Sequence, residues 1–109
     1  MTTDYEAYAG DTLQITLTVL DESGAPLDVS SAAMIYIVRD RNNVEVLRKT
    51  SAAGTIAASG NIATVLIGAG DTASLDGQAY HELQATDASG NVSTLLAGWV
   101  RFRRTEIEP

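Results

Sequence analysis

From residue 12 to residue 20 the chain alternates strictly. Leu13, Ile15, Leu17 and Val19 fall on one side, and Thr12, Gln14, Thr16 and Thr18 on the other. A two-residue period is that of a strand with one buried face. AMIYIVR (33–39) is apolar on both faces, the pattern of a strand packed more deeply. VEVLRK (44–49), NIATVLI (61–67) and AYHELQATD (79–87) read as three further strands. VSTLLAGWVRFRRTEI (92–107) reads either as one strand bent at Gly98 or as two, and DYEAYA holds a short strand ahead of Gly10. Helical period is missing apart from one turn expected at DTASL (71–75), capped by Asp71 or Thr72. Short strands with turn signals about every ten residues predict an all-β sandwich of about seven antiparallel strands. Its expected core contains Leu13, Ile15, Leu17, Val19, Ile35, Ile37, Val65 and Leu83.

The strands are joined by a repeated phrase. Asp21-Glu22-Ser23-Gly24 and Asp87-Ala88-Ser89-Gly90 fit a type I turn, with Asp at its first position and Gly where φ turns positive. Asp40-Arg41-Asn42-Asn43 fits with Asn in the Gly slot, and Ala57-Ala58-Ser59-Gly60 fits without the Asp. Asp87, Ser89 and Asn91 also copy the one-three-five ligand rhythm of a calcium loop. The sixth and twelfth places, however, hold Val92 and Gly98 instead of Gly and Glu, so the phrase reads as hairpin chemistry.

Length and composition narrow the picture. The 109 residues make one domain, 1–109, with a short arm (1–9), and the start MTTDYEAYAG has neither the basic nor the apolar stretch of a secretory signal. No apolar run reaches membrane-spanning length, so no membrane partner is expected. Without cysteine there is no disulfide, thiolate nucleophile or thiolate metal site. A net charge of −7 repels phosphate backbones, and nucleic acid is not an expected partner. Against that trend, Arg101, Arg103 and Arg104 cluster near the end. They form either a solvated edge balanced by Glu106 and Glu108 or a contact for an acidic protein.

Candidate chemistry is sparse. His81 is the sole histidine, and no G-x-S-x-G elbow accompanies it. Its alternation with Leu83 and Ala85 places it at the edge or rim of the core. The carboxylate pairs Asp71/Asp76 and Glu106/Glu108 lack an aromatic platform, and Gly68-Ala69-Gly70 lacks the Lys of a P-loop. No enzyme, cofactor or metal site is therefore expected. Trp99 lies outside beside Arg101 and Arg103 if Val100 and Phe102 point inward, or plugs the core if the strand is bulged near Gly98. Tyr80 suits a tyrosine corner. Tyr5 and Tyr8 lie on the arm, which could add a strand to a neighbour's sheet.

The order of these phrases resembles the immunoglobulin-like domain at the amino end of phage baseplate upper proteins and related tail-fibre proteins. Gly10, Asp11 and Thr12 match its opening; Asp21, Gly24, Pro26, Asp28 and Ser30 match its second element, with Val29 in place of Leu. Val38, Arg39 and Asp40 match its third, and Gly77, Tyr80, Glu82 and Leu83 match its corner, with one extra residue between Gly77 and Tyr80. The resemblance implies a virion structural protein, made in the bacterial cytoplasm, that docks onto a tail, baseplate or fibre with other virion proteins as partners. Without catalytic groups it is expected to act through its surface, as a homo-oligomer or as a monomer that oligomerises on its virion partner. A carbohydrate-binding sandwich is the alternative. The surface expected to make contact comprises Tyr5, Tyr8, Trp99, Arg101 and Arg103.

Overall fold

The computed structural model describes residues 12–72, 75 and 77–103, together with the backbone of Tyr5–Tyr8. Its strands are β1 (Tyr5–Tyr8), β2 (Leu13–Thr18), β3 (Ala33–Arg39), β4 (Glu45–Thr50), β5 (Ile56–Ser59), β6 (Ile62–Ile67), β7 (Gly77–Thr86) and β8 (Val92–Arg103). One helical turn, α1 (Ala69–Thr72), precedes β7, slightly earlier than the turn expected at 71–75. Two sheets face each other, one ordered β1-β8-β7-β3-β4 and the other β2-β6-β5. All pairs are antiparallel except β1 with β8, which is parallel. The result is a two-layer β-sandwich, with β8, β7 and β3 interior to one sheet and β6 interior to the other.

The alternating reading of β2 holds in direction. Ile15 and Val19 are buried, Leu13 and Leu17 are half-buried against the core, and the threonines face solvent. Val65 and Leu83 are buried as expected. The expectation for β3 is reversed: Met34, Tyr36 and Val38 point inward, Ile35 is 40% exposed and Ile37 is half-buried on the outer face. Pairing explains the reversal. Ile35 and Ile37 lie opposite Gln84 and Glu82, whereas Tyr36 and Val38 lie opposite Leu83 and His81. Because side chains alternate, facing the isoleucines inward would carry Glu82 and Gln84 into the core with them.

β8 is one strand. Its bulge falls at Leu95, where the pairing steps from Leu83↔Leu96 to Gln84↔Thr94, and not at Gly98. Val100 and Phe102 are therefore buried, and Trp99 lies on the outer face. Strand β5 was not expected. It contributes the buried Ile56, and its short apolar IAAS shows no period long enough to recognise.

Three of the four turn phrases share one geometry. In each, the Asp Oδ1 accepts N–H groups two and four residues on: Ser23 and Ala25 at Asp21, Asn42 and Val44 at Asp40, Ser89 and Asn91 at Asp87. The fourth residue donates its N–H to the first residue's carbonyl, and takes positive φ at Gly24 (86°), Asn43 (63°) and Gly90 (86°). Ala57–Gly60 departs from the expected frame. Ser59 pairs with Ile62, so the turn is the two-residue loop Gly60–Asn61, with positive φ at Gly60 alone. Ser51-Ala52-Ala53-Gly54 is a further turn of the first kind without its Asp. A Cβ on Gly24 or Gly90 would meet nothing within 4 Å, so substitution there tests backbone strain alone. Gly24→Val and Gly90→Val should each cost about 1–3 kcal/mol by denaturant titration, while calcium or EDTA leaves the wild-type midpoint unchanged.

Candidate functional site

The two segments singled out as contact elements come together. β1 pairs with β8 in the register Tyr5↔Val100, Glu6↔Arg101, Ala7↔Phe102 and Tyr8↔Arg103. The arm therefore extends this molecule's own sheet, where the sequence suggested that it could extend a neighbour's. Tyr5 and Tyr8 sit at the register of the strand end that bears Arg101 and Arg103, and β1 is the outermost strand of its sheet. Arg104, Glu106, Glu108, Asp76 and the rest of the arm lie outside the described residues.

Around that strand end a small polar-aromatic surface is built on the outer face. The rings of Trp99 and Tyr80, opposite each other on β8 and β7, meet edge to face at 5.8 Å and 75°. The Tyr80 hydroxyl donates to Glu82 at 3.4 Å, so it does not form the expected tyrosine corner. Burial first, and then the charge of Glu82, push the Tyr80 hydroxyl's pKa up. Arg101 and Arg103 are exposed beside this pair. Farther across the sheet a shallow depression of about 320 Å³ is lined by Ile35, Ile37, Arg39, Arg48, Glu82 and Gln84. Arg48 grips Glu45 through two bonds of 2.7 and 3.1 Å, and Arg39 donates to the Asn43 carbonyl at 3.4 Å.

His81 is not at a rim. It is 2% exposed, and its Nδ1 lies 3.0 Å from the hydroxyl of Tyr36, which is fully buried. The two rings also contact edge to face at 5.8 Å. Gly98 lies opposite His81 on β8, so the inward position beside the imidazole carries no side chain. Sequence reasoning missed this pair because it had turned Tyr36 to the outside. Once β3 and β7 are aligned, the two polar rings become neighbours on the inner face.

Asp71 of α1 ties the crossover between the sheets to β4. Its Oδ2 receives the Lys49 ammonium at 2.7 Å and the Gly68 N–H at 2.9 Å. Lys49 first, and then that N–H, hold the Asp71 carboxyl below its ordinary value of 3.8. A lowered folded-state pKa gives stability that is fully present above 3.8 and is lost as pH falls through the folded value. Asp71→Asn should therefore flatten the acid limb of a stability–pH curve while the neutral limb keeps its shape. An unchanged acid limb would contradict the role assigned to this pair.

Among the described residues, no cluster of three or more His, Cys, Asp or Glu side chains could hold a metal ion, and no helix is long and apolar enough to cross a membrane. Neither a comparison with protein-family models nor one with curated proteins finds a match for this chain.

Proposed function

We propose that the chain is a non-enzymatic assembly or attachment module of a phage particle, acting through the β1–β8 side of its five-stranded sheet. The resemblance of its turn and strand phrases to the immunoglobulin-like domain of baseplate upper and tail-fibre proteins supports the phage setting. The observation that carries the mode of action is the meeting of β1 and β8. Two segments with contact-prone residues form one continuous border, next to the Trp99–Tyr80 pair and the exposed Arg101. Aromatic and arginine side chains are the types enriched where proteins meet. Arg101 and Arg103 suit carboxylates on a protein partner, because a planar guanidinium pairs with both carboxylate oxygens at once.

Immunogold electron microscopy with antibody to this protein, on particles made from the genome that encodes it, should label the tail, baseplate or fibre. Unlabelled particles would refute the reading. A glycan array tests the carbohydrate alternative: binding lost in Trp99→Ala would favour that reading over assembly.

A further inference from the structure

The basic residues of this chain are confined to one part of the sandwich, and one end of it is purely acidic. One end is formed by the β2–β3, β5–β6 and β7–β8 connections. Val19 and Val29 donate to the Asn61 and Gly60 carbonyls there, and Ala33 pairs with Thr86. That end carries Asp21, Glu22, Asp28 and Asp87 and no basic residue. Residues 9–32 and 51–76, which include the whole three-stranded sheet, contain no lysine or arginine. All seven basic residues fall on β3, β4, β8, the β3–β4 turn, or directly after β8. Arg39, Arg101 and Arg103 stand at the opposite end of the five-stranded sheet, where Arg39 lies opposite Tyr80, Tyr80 opposite Trp99 and Gln78 opposite Arg101. Asp40 and Glu45 share the β3–β4 side of that end, Glu45 in an ion pair with Arg48.

We infer that copies of this chain associate head to tail, the acidic loop end of one seated on the arginine-bearing end of the five-stranded sheet of the next. This rests on the assembly reading and names its partner surface as a second copy. Charge complementarity selects that partner. In a chain of net charge −7, most approaches of one copy to another are repulsive, but this one sets carboxylates against guanidinium groups. At physiological ionic strength, repulsion between distant parts of two copies is screened beyond about 8 Å, while ion pairs at contact are screened much less. Asp21, Asp28 and Asp87 accept hydrogen bonds within their own turns, and these hold their carboxyls below the ordinary value and keep them ionised. The contact joins two different patches, so it does not close on itself as a two-fold dimer. Repetition builds a ring or a filament, the form a tail component needs.

Sedimentation velocity over a concentration series tests this. The wild type should grow beyond a dimer at 0.15 M salt, with association at least about tenfold weaker at 1 M salt. Glu22→Lys with Asp28→Lys, and separately Arg101→Glu with Arg103→Glu, should each weaken self-association at least about tenfold while keeping the β-sheet circular dichroism. An equimolar mixture of the two variants should associate again, because acidic and basic ends are once more matched across the pair. A wild type that is monomeric at all concentrations, or that stops at a dimer indifferent to Glu22→Lys with Asp28→Lys, would overturn the head-to-tail contact. Particles that carry the immunogold label alongside such a result would leave the assembly role standing with a different partner.

Discussion

Phe102→Ala should destabilise the protein by about 3–5 kcal/mol, and Trp99→Ala by no more than about 1–2 kcal/mol. The two aromatics are three residues apart on β8, yet the pleat places them on opposite faces. Phe102 is 2% exposed in the core, between Gly77 of β7 and Ala7 of β1 in register. Truncating it removes a large apolar ring and leaves a cavity, because a close-packed interior relaxes only partly. Trp99 packs its edge on Tyr80 at the outer face, so its removal costs an aromatic contact and partial burial but opens no void. Urea titration of the two variants gives the comparison directly. Equal losses, or a larger loss at Trp99, would mean that β8 is rotated by one residue from the facing described above.

Tyr36→Phe should cost about 1–3 kcal/mol, a large loss for one oxygen atom, because the hydroxyl and the His81 imidazole meet where water does not reach. His81→Leu should also destabilise, since it leaves the Tyr36 hydroxyl without the imidazole nitrogen. The double variant Tyr36→Phe with His81→Leu should lose less than the two single losses added together. Replacing both polar partners with apolar groups removes the unmet hydrogen-bonding need along with the bond. Strict additivity in that cycle would show that the two rings are energetically independent, and would remove the polar pair from the account of the core. Between β3 and β7 the histidine's Nδ1 thus meets a buried hydroxyl.

The assembly proposal has the same physical root as these two effects. The core takes one face of β8 for Val100 and Phe102, and the alternation of the strand then leaves Trp99, Arg101 and Arg103 on the other. What the fold buries on one side dictates what it can offer a partner on the other.

Local chemistry was legible in the residues alone. The period of β2, the extents of β3 and β6, and the Asp-x-Ser-Gly turns follow from side-chain alternation and from the need for positive φ at a fixed position. Both act over a few residues and require no distant partner. The facing of β3 was not legible, because AMIYIVR is apolar on both sides and alternation cannot choose between them. That choice belongs to β7, more than 40 residues away, whose Glu82 and Gln84 must stay wet. Strand β5 was too short to announce itself, and the bulge at Leu95 exists only as a mismatch between two paired strands. The His81–Tyr36 bond, the meeting of β1 with β8, and the placing of the Asp21 and Asp87 turns at one end are likewise products of pairing across the sandwich. The sequence determined which residues would form strands and turns; the tertiary structure decided which faces met, because only long-range pairing settles which side chains lose water together.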